Sequence, residues 1–305
     1  MASRTATRYT LAERPEGDII PGKTFRKEKC AAPTADELKE GQILVESLYF
    51  SLDPANRVWI NRWQDIAIAD ESQFAIPPAL PSGARPTDLL GALGVPGFTA
   101  HVGLSQIGKV EKGDTVVVSG AAGATGSIVG QIAKIQGAGK VIGTAGTDAK
   151  CKWLIEVAGF DVALNYKDPD FDAKFLEATK DKINVYWDNV GAHQLDLAFG
   201  QAALNSRFVI CGMIGMYNAP KGVNFRNIEN ILFRRIKVHG FIFSDYPQAV
   251  VEAKRDLSQW LSEGKIQRAE HLVKGSMDDL EATWKLLYTG TDKGKLILQV
   301  KNPEE

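Results

Sequence analysis

The segment best suited to chemistry is Thr115-Val-Val-Val-Ser-Gly-Ala-Ala-Gly-Ala-Thr-Gly126. A short apolar strand pattern ends at Ser119, and a helix-like run, Ser127-Ile-Val-Gly-Gln-Ile-Ala-Lys-Ile-Gln-Gly137, follows. A glycine turn between them brings bare backbone N–H groups to a helix mouth. The donors there lack intrahelical partners and the helix dipole favours negative charge, which suits the diphosphate of a dinucleotide. Gly120, Gly123 and Gly126 recur every third residue, letting the turn form, the ligand approach and the helix pack on the strand. The spacing is Gly-x-x-Gly-x-x-Gly, not the commoner Gly-x-Gly-x-x-Gly. The strand before and the helix after favour a dinucleotide turn over an ordinary β-α turn. Gly120, Ala122, Gly123, Ala124, Thr125 and Gly126 are expected to bind the cofactor.

The next strand, Val141-Ile-Gly-Thr-Ala-Gly146, ends without the acid that bonds an NAD ribose. Gly146 belongs to the expected cofactor site. Lys150, in the first turn of the next helix, and Tyr166 and Lys167, after the third strand, are placed to meet a 2′-phosphate. Singly, each lysine reads as a solvated surface residue and Tyr166 as a packing ring. With the missing acid they favour NADPH over NADH. Asp148 keeps the alternative open, but reads better as a first-turn residue after a Thr147 N-cap. Asp188-Asn-Val-Gly191 and Cys211-Gly-Met-Ile-Gly215 also follow strands, so Asn189, Cys211 and Gly212 are expected at the nicotinamide end. Plain loop chemistry is the alternative there.

The surrounding pattern supplies a scaffold. Val116–Val118, Val141–Ile142, Val162–Tyr166, Ile183–Trp187, Phe208–Cys211 and Val238–Phe243 read as strands, alternating with helical spacings. Helices are expected over Asp148–Gly159, Asp170–Lys180, His193–Leu204, Phe225–Phe233, 250–262 and Leu280–Tyr288. Leu176 is expected to face inward with Phe171 and Phe175, and Val251 with Leu257 and Leu261. Such alternation predicts an α/β fold with a parallel sheet covered on both faces. Gly41–Leu52 reads as a strand closed by Asp53-Pro54, and Phe74–Pro96 as a proline-rich connection.

The 305 residues carry 36 Lys+Arg against 37 Asp+Glu, a net charge of −1. No basic excess exists to hold a nucleic-acid backbone. Three dispersed cysteines, Cys30, Cys151 and Cys211, give neither a disulfide framework nor zinc spacing, and suit a reducing compartment. The uncharged stretch Thr115–Ala133 imitates a membrane span, but its glycines divide it into strand, turn and helix. A cytoplasmic protein without membrane or nucleic-acid partners is expected.

A longer set of ordered segments resembles the medium-chain dehydrogenase/reductase superfamily, and within it the zinc-independent prostaglandin reductase/leukotriene B4 dehydrogenase group with its 2-alkenal and curcumin reductases. The set includes Ser51-Leu-Asp-Pro54, Gly94-Val-Pro-Gly-Phe-Thr-Ala100, Ala121 to Lys134, Asn165-Tyr-Lys167, Asp188-Asn-Val-Gly191, Ile210-Cys-Gly212, Tyr217-Asn218, Gly240-Phe-Ile242 and Glu263-Gly-Lys-Ile266. The resemblance covers most of the chain from about 90 to 300, plus 43–54. It implies a doubly wound Rossmann domain, residues 93–264, set into a GroES-like β-barrel domain, residues 1–92 and 265–305, with the active site in the cleft between them. It implies NADPH-dependent reduction of the carbon–carbon double bond of an enal or enone, without metal, in a homodimer. It adds Tyr217, Phe241, Phe243 and Asp292 to the expected cofactor site.

Two departures bear on catalysis. The family usually reads Asp-Pro-Tyr-Met-Arg where this chain has Asp53-Pro-Ala-Asn-Arg57, so a pocket tyrosine is replaced by Ala55. The barrel domain is shortened between Arg57 and Gly94, where Val58-Trp-Ile-Asn-Arg-Trp-Gln64 and the proline-rich connection stand instead. Trp59 and Trp63 are four apart and would share a face on a helix. Asp292 replaces an asparagine near the nicotinamide. The donor that stabilises charge on the substrate carbonyl is therefore sought at Tyr246 or Tyr49. The alternative function is a repurposed or non-catalytic NADPH-binding relative, such as a specialised biosynthetic tailoring protein.

Overall fold

The computed structural model describes residues 4–15, 17–54, 56, 62–64, 66–73, 79–217, 224–290 and 293–302. The chain divides into two units: residues 1–80, 271–291 and 296–305, and residues 81–270 and 292–295. The second unit begins before the expected residue 93 and ends after the expected 264. The reason is local bonding: Gly97 N–H donates to the Gly91 carbonyl, and Gln131 bonds both main-chain groups of Gln267.

The first unit opens with β1 (Thr5–Leu11), β2 (Phe25–Ala31), β3 (Gln42–Glu46), β4 (Tyr49–Leu52), β5 (Arg62–Gln64) and β6 (Ile66–Asp70). The expected strand over 41–52 is therefore two strands. β1 pairs antiparallel with β2 and with β5, and β3 with β6. Trp63 lies in β5 opposite Tyr9, so strand pairing replaces the helical face considered for it. Trp59 and Ala55 lie outside the described residues.

The second unit carries α1 (Val95–Val102), β7 (Thr115–Val118), α2 (Ala124–Ile135), β8 (Lys140–Ala145), α3 (Asp148–Glu156), β9 (Val162–Asn165) and α4 (Phe171–Ala178). It continues through β10 (Ile183–Asp188), α5 (Ala192–Gln201), β11 (Ala202–Ile210), α6 (Ile214–Tyr217), α7 (Asn230–Phe233), β12 (Lys237–Gly240) and α8 (Pro247–Ser262). The six strands form one sheet in the order β12-β11-β10-β7-β8-β9, parallel at every pairing. This is the doubly wound order, and it reverses between β7 and β10.

Alternate residues of these strands fill two cores, as strand geometry requires. Val116, Val118, Val185 and Trp187 pack with Ile128 and Ile132 of α2 and Leu257 of α8. Val117, Ile142, Tyr186 and Phe208 pack with Phe171 and Phe175 of α4 and Phe199 of α5. Burial on both faces explains why Val116–Val118 reads as an unbroken apolar run.

Several sequence expectations shift. α8 begins at Pro247, where proline suits a first helical turn. Its buried stripe is Ala249, Ala253, Leu257 and Leu261, a four-residue repeat, so Val251 points outward and is 63% exposed. Leu176 is likewise exposed, since Phe171 and Phe175 alone fill the inner face of α4. The helix expected over Phe225–Phe233 is confined to α7, because Asn227 is tied by three hydrogen bonds to Asp196. α5 stops at Gln201, where Ala202 turns extended and begins β11.

The chain returns to the first unit with β13 (Glu270–Lys274), α9 (Leu280–Thr289) and β14 (Lys295–Gln299), which pairs antiparallel with β4. That unit's core gathers Tyr9, Phe25, Leu52, Trp284, Leu296 and Leu298.

The facing of α8 has a direct test. Leu257→Ala should cost about 2–5 kcal/mol in urea unfolding, as buried leucine truncations do. Val251→Ala should stay within about 0.5 kcal/mol of the wild type.

Candidate active site

Ligands of open parallel sheets lie outside the carboxyl ends of the strands at the point where the order reverses. Here that point is the gap between β7 and β10, flanked by Ser119–Gly126 and Asp188–Gly191. Gly120 stands at φ +58°, a left-handed conformation that favours glycine. A side chain at Gly126 would start 2.5 Å from the Gly120 carbonyl oxygen, so the helix can seat on the turn only with glycine there.

The amide bookkeeping of this turn identifies its donors. Gly120 N–H donates to the Thr144 hydroxyl (3.2 Å), Ala121 N–H to the Thr144 carbonyl (2.8 Å), and Gly123 N–H to the Gly120 carbonyl (3.1 Å). Ser127 N–H donates to the Gly123 carbonyl (3.1 Å). The N–H groups of Ala122, Ala124, Thr125 and Gly126 donate to no atom of the described residues. The Gly120 amide is taken, and its part is to bend the chain, the turn-forming role its spacing suggested. The four remaining N–H groups sit at the mouth of the twelve-residue helix α2. Thr125, like Gly123 and Ala124, is partly exposed. Unpaired donors, a favourable dipole and a glycine-walled approach fit a dinucleotide diphosphate.

Buried polar groups hold the turn in place. Thr144 donates its hydroxyl proton to Gln194 Oε1 at 2.7 Å, and both residues are buried. Ser119 donates to Asp188 Oδ1 (2.8 Å) and accepts from Asn189 N–H (2.9 Å). Asn189 donates from Nδ2 to the Ser119 carbonyl (2.7 Å) and accepts from Trp187 Nε1 (3.1 Å). Its side chain therefore clasps the ends of β7 and β10 together. Asp188 Oδ1 also accepts from Val190 and Gly191 N–H, while Oδ2 is buried without a hydrogen-bond partner. Burial pushes the Asp188 carboxyl above the usual carboxylate range, against the Gly191 N–H and the Ser119 hydroxyl, which favour the charged form.

The second loop folds onto the first. Cys211 and Gly212 N–H both donate to the Asp188 carbonyl (2.9 and 3.0 Å), and the Tyr217 hydroxyl accepts from Met213 N–H (3.2 Å). Burial pushes the Cys211 thiol up to about 12, with the Asp188 charge adding, so it is a neutral thiol at physiological pH. Phe241 packs edge-on to Trp187 at 5.8 Å, behind the Asn189 turn. Phe243 packs on Phe98 of α1 at 6.3 Å.

On the other flank, Thr147 caps α3 by accepting Lys150 N–H at 3.3 Å, the cap expected from sequence. Asp148 accepts from Asn165 Nδ2 at 2.9 Å. A side chain at Gly146 would start 2.7 Å from the Tyr166 hydroxyl, so the ring of Tyr166 stands over Gly146. Lys150 and Lys167 lie at the start of α3 and just after β9. Tyr246 is the half-buried N-cap residue just before α8, and its hydroxyl has no partner among the described residues. Tyr49 lies in β4 of the first unit, opposite Gln299, with its hydroxyl likewise unpartnered among the described residues. Asp292 lies outside the described residues. Ser119, Thr144, Gln194 and the carboxyl of Asp188 were not singled out from sequence.

Residues 124–262 match the family model described as zinc-binding dehydrogenase. The chain is 32% identical to the NADPH-dependent curcumin reductase of Escherichia coli (strain K12), covering 96% of each protein. It is 36% identical to prostaglandin reductase 1 of Bos taurus, covering 86% of this chain and 90% of that protein. The chain belongs to the medium-chain dehydrogenase/reductase superfamily, in its prostaglandin reductase group. The crystal structure of CurA in complex with NADPH from Vibrio vulnificus superposes with a TM-score of 0.84 at 30% identity, over 97% of this chain and 100% of that one. The curcumin reductase alignment has 340 positions against 305 residues here, so at least 35 are gaps in this chain. Among the described residues no group of three or more His, Cys, Asp or Glu could hold a metal ion.

The raised carboxyl gives a pH prediction. The fold favours protonated Asp188, so its contribution to stability is full below the unfolded carboxyl value of about 4 and falls as pH rises through the raised folded value. Asp188→Asn keeps an oxygen acceptor and does not titrate. Urea unfolding should show the wild type losing stability relative to this variant as pH rises above about 4; a pH-independent difference contradicts the assignment.

Proposed function

We propose that this chain is an NADPH-dependent reductase of the carbon–carbon double bond of α,β-unsaturated aldehydes or ketones. The observation that carries the reading is the set of four unpaired N–H groups at the mouth of α2, at the point where the sheet order reverses. Ala122, Ala124, Thr125 and Gly126 hold the diphosphate. No acid ends β8, and Lys150, Lys167 and Tyr166 receive the 2′-phosphate. Asn189, Cys211, Gly212, Tyr217, Phe241 and Phe243 shape the nicotinamide end, with Asp292 beside it.

NADPH supplies a hydride for the β-carbon of the substrate. The protein's part is position and electrostatics. As the double bond is reduced, negative charge develops on the carbonyl oxygen, and a hydrogen-bond donor aimed there lowers the barrier. Tyr246 is the first candidate donor and Tyr49 the second. The α-carbon then takes a proton.

The partner we propose is a second copy of the chain. β12 is an edge strand exposed at all four residues, and Leu232 (73%) and Phe233 (64%) of the adjoining α7 are among the most exposed large apolar side chains described. An unpaired edge with apolar neighbours is a template for strand addition. We place the protein in the cytoplasm, where its three unpaired cysteines would stay reduced. No helix among the described residues is long and apolar enough to cross a membrane.

Purified protein should oxidise NADPH with 2-alkenals or aryl enones and prefer it to NADH. Lys150→Ala should weaken NADPH binding about tenfold, the loss of one charge-assisted hydrogen bond, and leave NADH unchanged. Tight NADPH binding without turnover across the panel would favour the repurposed relative, which the gaps and Ala55 recommend. Light scattering should return the mass of two chains, and of one chain for Val238→Asp; a monomeric wild type at micromolar concentration contradicts the edge-strand dimer.

A further inference from the structure

The turn that offers four N–H groups is also tied from its far side, by a residue about 170 positions away. Gly294 N–H donates to the Ala122 carbonyl at 2.8 Å, and Gly294 forms a parallel bridge with Gly123. The next residue, Lys295, donates its N–H to the Ala269 carbonyl at 2.8 Å. Residues 267–269 are themselves clamped to α2. Gln131, buried in that helix, donates from Nε2 to the Gln267 carbonyl (3.0 Å) and accepts from Gln267 N–H (2.6 Å). Arg268 pairs with the fully buried Asp88 at 2.9 Å. The bonds therefore close a circuit from the turn through Gly294 and Lys295 to 267–269, and back to the helix that the turn begins.

Position 294 admits only glycine. Its φ is +73°, and a Cβ would lie 2.0 Å from the Ala269 carbonyl oxygen and 2.2 Å from its carbon. Those are main-chain atoms held by the clamp, so neither can retreat. What the Gly294 bond fixes is a peptide plane. The Ala122 carbonyl and the Gly123 N–H belong to one planar unit. Gly294 holds the first and the Gly120 carbonyl holds the second. With both ends bound, that plane cannot rotate; the next plane, which carries the Ala124 N–H, is held through the Gly123 carbonyl by Ser127 N–H, and the plane carrying the Ala122 N–H hinges on a fixed neighbour.

We propose that Gly294 is a positioning residue for the cofactor, a main-chain strap that sets the direction of the diphosphate donors before the ligand arrives. It touches no substrate. The inference rests on the NADPH reading above. Preset donors bind an anion without the cost of ordering them, so loss of the strap weakens cofactor binding more than turnover at saturation.

The test compares Gly294→Ala with Gly264→Ala. Gly264 is also left-handed, at φ +68°, but a Cβ there meets nothing within 4 Å, so it reports backbone strain alone. NADPH fluorescence titration should show Gly294→Ala binding about tenfold more weakly, the upper range for one neutral hydrogen bond, with Gly264→Ala within twofold of wild type. The kcat at saturating NADPH should stay within twofold while KM for NADPH rises. Should Gly294→Ala not fold, amide exchange of the wild type decides: NADPH should protect peptide 293–296 together with peptide 121–127. Gly294→Ala binding within twofold of a wild type that does bind, or exchange at 293–296 indifferent to NADPH, overturns the strap alone. A wild type that binds no NADPH overturns the functional reading and the strap with it.

Discussion

An amide that is to grip an anion must be left without a partner in the empty protein, yet it must not wander. Those demands conflict, because a segment of chain is ordinarily held by its own N–H groups. The Ser119–Gly126 turn meets both by dividing the labour among its atoms. The carbonyls of Gly120, Ala122 and Gly123 and the N–H groups of Gly120, Ala121 and Gly123 are all bonded within the fold. Four N–H groups are left over, at the end of a helix whose dipole adds to their pull. The sheet around them supplies the anchoring partners, Thr144 on β8 and Asp188 at the end of β10, and Gly294 supplies the last.

The part of this site that was readable in the sequence is the part built from neighbours. Gly120, Gly123 and Gly126 stand three apart, after a β-branched run and before a helical one, and those signals lie within twelve residues of each other. The Thr147 cap on α3 was readable for the same reason. The groups that hold the turn were not, because each is an ordinary residue whose partner is remote. Thr144 is 24 residues from Gly120 and 50 from Gln194. Nothing local marks Thr144 as an acceptor, Gln194 as its relay or Gly294 as a tie. The glycine spacing marks where the chain bends, but not that the Gly120 amide is taken by Thr144.

The sheet was legible in class and in most strands, since burial on both faces imposes continuous apolar runs such as Val116–Val118. Helix faces were less so. Val251 and Leu176 are apolar at plausible spacings, but α8 is oriented by the smaller Ala249–Ala253–Leu257–Leu261 stripe, and α4 by two phenylalanines. The first unit resisted reading. Its small antiparallel sheets are assembled from segments distant in sequence, β4 with β14 being one case. The gaps against the curcumin reductase relative show that this chain is the shorter of the two within their aligned length. The turn at the mouth of α2 is built of main-chain atoms, which no single substitution of Lys150 or Tyr166 would remove.

The most direct measurement is a crystal structure of the chain with NADPH bound. The account predicts diphosphate oxygens within about 2.7–3.2 Å of at least two of the N–H groups of Ala122, Ala124, Thr125 and Gly126, with Gly120 N–H still on Thr144. A diphosphate bound by side chains elsewhere, with those four amides facing only water, would contradict it.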